Sequence, residues 1–249
     1  MRTRRAFTMV EVMLVAVLLA AVAALVLPSF LGEFQAAQLP TSARQMRSFV
    51  AMARAHAQFD GRRYRIRFPG EDEDKADTLG SDRQPLVERE DDPIDEPGVF
   101  NLVTEPWAVG ETLLAKVWCA EVRLGRPTVE MLLEERNAIE DALTGAVEDF
   151  DPLRPPLIIE PDGTSDWATF VLTQAPRDIE FDALKDEVRI EVIVDGETGI
   201  AWLQRPLYDE EVDLFDEHHW PVVLRQDFLD PRVLTEDDVL ELQESRITP

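Results

Sequence analysis

The first thirty residues constrain this chain more than any others. Arg2, Arg4 and Arg5 precede Ala6-Phe7-Thr8-Met9-Val10-Glu11, and an unbroken apolar run follows from Val12 to Leu27. Phe7 to Leu27 is 21 residues, and a bilayer core takes about 20 residues at 1.5 Å rise each. The reading is a membrane-spanning helix with one carboxylate, Glu11, a few residues inside it. A carboxylate near the bilayer centre costs roughly 2.5–3.5 kcal/mol, which makes such a group a functional-site candidate. The arginines ahead of the run place the N-terminus in the cytoplasm and the rest of the chain across the membrane.

A secretory signal peptide would need a shorter apolar core ending at a small-x-small site. Ala21-Val22-Ala23 offers one, but the apolar run continues past it. A plain anchor leaves Glu11 without a use. The third option is a leader cut on the cytoplasmic side, ahead of the apolar run.

Apolar residues continue at 36, 39, 43, 46, 50, 53 and 57. Steps of three and four define one helix stripe, so 7 to about 59 reads as one long helix, kinked at Pro28 and Pro40. Its second half lays Leu39, Ala43, Met46, Val50, Ala53 and Ala57 on a globular head, with His56 off the stripe. Asp60-Gly61 ends it.

In Arg62-Arg63-Tyr64-Arg65-Ile66-Arg67-Phe68 the apolar residues alternate with arginines, as in a half-buried strand. Arg62, Arg63, Arg65 and Arg67 form the one dense basic feature of a chain with 50 acids against 25 Lys and Arg, a formal charge of −25. They are a candidate DNA strip. The competing reading is that they pair with the chain's own acids. The overall charge argues against nonspecific binding to nucleic acid or anionic lipid.

Residues Gly70–Gly98 hold twelve acids and read as a solvated insertion. The Glu71–Asp74 run lacks the spaced oxygens of a calcium loop. Strands are expected at 99–103 and 113–122, and a helix at 129–143 behind an N-capping Thr128. Leu157–Glu160 runs into the turn Pro161-Asp162-Gly163 and returns at 167–172. Residues 187–194 turn through Asp195–Gly199 into 200–203, giving a second hairpin. Thr235 and Asp238 frame a capping-box start for a helix at 236–244. His218-His219 would share a metal only in a loop, since neighbouring strand side chains point to opposite faces; no metal site is assigned. Cys119 is the single cysteine, so no intrachain disulfide can form, and its apolar surroundings suit a buried structural thiol. No nucleophile elbow, metalloprotease helix or redox Cys pair is present. The chain reads as a non-enzyme, and no cofactor is implied.

The segment Arg4-Arg5-Ala6-Phe7-Thr8-Met9-Val10-Glu11 resembles the prepilin methylation motif of type IV pilins and type II secretion pseudopilins. The pieces 158–163, 168–172 and 188–202 resemble the head of GspH/FimT-type minor pseudopilins. The resemblance implies cleavage between Ala6 and Phe7 by a prepilin peptidase, N-methylation of Phe7, and pairing of Glu11 with the Phe7 amine of a neighbouring subunit. Ala6 departs from the glycine the family prefers at the cut. Loss of 1–6 removes three arginines and takes the formal charge from −25 to about −28.

The expected class is α+β: a long kinked N-terminal helix, membrane-spanning in its first half, packed on an antiparallel sandwich-like head. Its parts are a leader (1–6), a transmembrane helix (7–31), a periplasmic half-helix (32–60), a head (61–203) with an acidic insertion (70–98), and an acidic extension (204–249). The implied role is a minor pseudopilin in the inner membrane, with its head in the periplasm and other pseudopilins as filament partners. The alternative is a minor type IV pilin acting in DNA uptake or adhesion through the basic strip.

Overall fold

The computed structural model describes residues 9–69, 84–134, 154–176 and 188–244. The chain divides into two compact units, Met1–Gln38 and Leu39–Pro249. Helix α1 (Met9–Asp60) is common to both. The second unit adds eight strands: β1 (Tyr64–Arg67), β2 (Leu86–Glu90), β3 (Phe100–Leu102), β4 (Trp118–Leu124), β5 (Leu157–Ile159), β6 (Ala168–Thr173), β7 (Arg189–Val194) and β8 (Ala201–Gln204). Two short helices follow, α2 (Asp209–Glu217) and α3 (Glu236–Glu244).

The expected fold class requires correction at its N-terminus. Among the described residues no helix is long and apolar enough to cross a membrane. The helical stretch 36–60 carries Arg44, Arg47, Arg54 and Asp60, so it is amphipathic and suited to one buried face only. The expected membrane-spanning first half is therefore not found among the described residues. What stands is α+β with two antiparallel four-stranded sheets, ordered β3-β2-β1-β5 and β4-β6-β7-β8.

The main core joins the two sheets to the buried stripe of α1. Leu39, Ala43, Met46, Val50, Ala53 and Ala57 meet Tyr64, Ile66 and Leu157 of the first sheet and Phe170, Leu172, Val192 and Val194 of the second. Three alanines in that stripe let the helix lie close to the strands. Successive residues of β6 and β7 are buried, with only Arg189 half-exposed. The second sheet is thus covered on both faces, which is why its strands read as apolar runs rather than alternations. On its outer face Ile193 packs with Phe215, Val222, Val223, Leu224, Leu234 and Val239. The C-terminal residues cover that face.

Two turns lie against α1: the turn at 161–163, which passes from one sheet to the other instead of closing the hairpin expected there, since β5 pairs with β1 and β6 with β4 and β7, and the 195–199 turn of the β7–β8 hairpin. Gln58 donates to the Asp162 carbonyl at 2.9 Å, and Arg54 to the Glu197 carbonyl at 3.4 Å. Gly199 has φ +64, and a Cβ there would overlap the Arg54 guanidinium. At Gly196 a Cβ would overlap the Ser165 carbonyl, part of the backbone that joins the two turns through Ser165 N–H to Gly196 O at 2.8 Å. The glycines of the Asp195–Gly199 turn are thus needed both for shape and for close approach.

The acidic segment read as a solvated insertion contains β2, a second correction. Residues 70–83 lie outside the described residues, but Leu86–Glu90 pairs antiparallel with β1 and β3. Its acids are buried because arginines face them. The strand expected at 113–122 begins at Trp118 and carries a bulge between Cys119 and Glu121. The helix expected at 129–143 is described only over 129–134, where Thr128 Oγ1 accepts from Met131 N–H at 3.3 Å. Burial pushes the Cys119 thiol up to about 12, so it is protonated at neutral pH.

Helix α2 has no counterpart in the sequence reading. It is anchored from below by Arg205, whose guanidinium binds Glu211 through two bonds of 2.7 and 2.6 Å and also reaches the carbonyls of Pro206, Asp230 and Arg232. Glu211 in turn accepts from the N–H groups of Tyr208 and Leu234. Every strong lone pair and donor of this buried pair is used, the condition under which such a pair is tolerated.

Two stability changes follow. Gly196→Ala should lower the denaturant midpoint by an amount worth about 1–3 kcal/mol, whereas Gly110→Ala, where a Cβ meets only the Pro106 carbonyl oxygen at 4.0 Å, should stay within about 0.5 kcal/mol. Arg205→Met strands Glu211 and should cost about 3–5 kcal/mol; the further change Glu211→Leu should recover most of that loss in the same urea titration.

Candidate functional site

The basic strip is built by β1, the strand between β2 and β5. Arg65 and Arg67 are opposite Glu88 and Leu86 in the ladder with β2, and their side chains share one carboxylate. Arg65 Nε donates to Glu88 Oε2 at 2.6 Å and Arg67 Nε to Oε1 at 2.7 Å. Arg63 donates from Nε and Nη2 to Glu160, beyond the end of β5, at 2.7–3.1 Å. That bond raises the Arg63 pKa further above its ordinary value. Arg62 reaches Asp91 at 3.1 Å. All four strip residues therefore have a carboxylate partner, and Arg65 also stacks its guanidinium over Phe100 at 4.5 Å. A phosphate would have to displace internal carboxylates from arginines already bound to them.

Arg89 on β2 extends the network. It donates to Asp91 at 2.7 Å and lies 3.4 Å from Glu105 and 3.8 Å from Asp60. The hydrogen bond from Arg89 holds Asp91 below the usual carboxylate range. Tyr64 donates its hydroxyl to Asp60 in a short bond. Burial first, and that bond second, push the Tyr64 phenol up to about 12. His56, placed off the buried stripe by periodicity, is half-buried and stacks on Trp107 with centroids 4.3 Å apart.

The other sequence candidates are placed as follows. Ala6 and Phe7, the proposed cleavage and methylation positions, lie outside the described residues, as does the Glu11 side chain. The apolar residues that continue from them are described in part. Met9, Val10, Val12 to Leu19 and Val22 are exposed, Met9 by 78%. Such a run of exposed apolar side chains exceeds the single, scattered ones usual on a folded surface. His218 stacks on Trp220 at 4.5 Å and lies 3.8 Å from Glu236. Among the described residues no group of three His, Cys, Asp or Glu side chains is placed to hold a metal ion.

Sequence reasoning missed Glu88, Glu90, Asp91 and Glu160 as partners of the strip. A signal for two of them was present: Glu88-Arg89-Glu90 alternates in the same period as Arg63–Arg67. Two charged alternating segments of opposite dominant sign are candidates for one ladder. Comparison with protein-family models, curated proteins and solved structures gives no match to this chain.

The Tyr64 geometry fixes a pH dependence. Its folded pKa of about 12 lies above the ordinary value of about 10. The stabilising contribution is therefore complete below pH ~10 and is lost as pH rises through 12. In a Tyr208→Phe protein, which leaves Tyr64 as the one tyrosine, tyrosinate absorbance should develop near pH 12. Over that window Tyr64 should contribute a fall of at most about 1.4 kcal/mol per pH unit, beside that of the raised Cys119 thiol, and Tyr64→Phe should remove the Tyr64 share alone.

Proposed function

We propose that this chain is a minor pseudopilin-like subunit, a structural component of a secretion filament assembled at the bacterial inner membrane with its head in the periplasm. The observation that carries the reading is the N-terminal segment: Arg4-Arg5-Ala6-Phe7-Thr8-Met9-Val10-Glu11, continued by apolar side chains that the fold leaves exposed from Met9 to Val22. The free energy of covering those side chains, at about 25 cal/mol per Å2 of apolar area, is available to neighbouring copies or related subunits. A lone carboxylate among them is affordable only when paired with a cation. An N-terminal amine created by a cut after Ala6 supplies such a cation on the adjacent subunit, four residues from Glu11.

The head supports the same reading by what its charges do. The strip arginines are bound by Glu88, Glu160 and Asp91, which makes them structural and leaves recognition to other surfaces. Prepilin peptidase is then the processing partner and other pseudopilins are the assembly partners.

The test is intact mass and N-terminal sequencing of the full chain co-expressed with a prepilin peptidase. The expected product starts at an N-methylated Phe7; a retained Met1 or a start beyond Ala23 overturns the reading. Glu11→Ala should still be cut and methylated but should fail to co-purify with filament subunits.

A further inference from the structure

The outer face of the second sheet does not close fully against the C-terminal residues that cover it. A cavity of about 80 Å3 remains there. Its floor is Arg123 of β4, Thr169 of β6, and Arg189 and Glu191 of β7, and its walls include Leu132 and Val222. Asp209, exposed in the first turn of α2, stands at the side.

Two polar groups in this floor have no partner among the described residues. Thr169 is 2% exposed and its hydroxyl makes no hydrogen bond; the Nε of Arg189 is buried and makes none either. Their neighbours are engaged elsewhere. Arg123 binds Glu121 at 3.0 Å and Glu191 at 3.3 Å. Gln204 uses its amide on the Val222 carbonyl and the Leu224 N–H. The contrast with the other strands is informative. Arg65, Arg67, Arg89 and Arg123 each bind a carboxylate, in a chain with twice as many acids as bases. Among the described strand arginines, Arg189 is the exception.

Buried donors without acceptors carry a desolvation cost, and an arginine at a partly apolar cavity is suited to a carboxylate. We infer that this cavity binds a short carboxylate with a second polar group at its far end. The ladder sets the length. Thr169 is opposite Ile193, four residues along β7 from Arg189, so the two Cα positions are roughly 13 Å apart along the strand. In the arrangement inferred the carboxylate sits at Arg189, and a hydroxyl at the other end meets Thr169. At about 10–15 Å3 per water-sized sphere, the cavity takes on the order of six heavy atoms. The inference is independent of the assembly role.

The test uses the full chain and three probes of similar length: 4-hydroxybutanoate, butanoate and 1-butanol, followed by ligand-observed NMR. Saturable binding is expected for 4-hydroxybutanoate, weaker binding for butanoate, and none for the alcohol. Arg189→Gln should weaken both acids at least tenfold. Thr169→Val should bring 4-hydroxybutanoate down to the butanoate level and leave butanoate unchanged, a pattern that general damage to the fold would not give. No saturable binding of either acid, equal binding by Arg189→Gln, or tighter binding of the alcohol overturns the inference, as does a crystal soaked in 4-hydroxybutanoate that shows water alone in the cavity.

Discussion

The contact on which the second unit depends is the seating of the 39–57 stripe of α1 between two sheets. Met46 and Ala43 are fully buried, as are Ala53 and Ala57, and each sheet contributes its inner face to the same cluster. The first sheet is short at both edges: β3 and β5 are three residues long. The helix completes the core, and small side chains bring its backbone near enough for Arg54 and Gln58 to hold two turns. The glycines of the Asp195–Gly199 turn belong to that same constraint. Their backbone passes where a Cβ would collide with Arg54 or with Ser165, so turn chemistry and helix docking are one problem solved once.

Charge is the second constraint. With two acids for each base, arginine is the scarce partner, and burial of a carboxylate is possible only where one is delivered. Glu88, Glu191 and Glu211 are all buried and each faces an arginine. Such pairs add little net stability relative to apolar residues of equal size, but breaking one leaves an uncompensated charge. They therefore act on which arrangement forms. A slip of one residue between β1 and β2 would turn Glu88 away from Arg65 and Arg67. Arg205 does the same for the C-terminal residues, fixing where α2 starts and where the chain returns at Asp230 to Leu234.

Local signals were readable from the sequence, and long-range pairings were not. The 39–57 stripe is a period of 3.6, the turn at Pro161-Asp162-Gly163 is short-range chemistry, and Thr235 with Asp238 is a box closed within four residues; these stand in the structure, though Ala36, read as the first residue of the stripe, is exposed. Strand β2 was hidden because composition made 70–98 look too polar to bury, and what buries it is a set of arginines twenty residues upstream. Helix α2 was hidden for the same reason, its acids reading as solvent-facing while Glu211 is drawn inward by Arg205. The apolar run at 12–27 had the opposite effect. Length and hydropathy suggested a span, whereas among the described residues no helix meets both requirements. In the strip, alternation located the arginines correctly but not their partners, since a carboxylate's destination depends on sheet order.

The two units then differ in what they offer a neighbour. Around the second unit, with its formal excess of acids, like charges repel within a Debye length of about 8 Å at physiological ionic strength, and its arginines are largely engaged internally. Contact between two such heads gains little from charge and loses desolvation energy. In the first unit Met9, Val10, Val12 to Leu19 and Val22 are exposed and apolar, and removing such surface from water is what gives any contact its non-directional driving force.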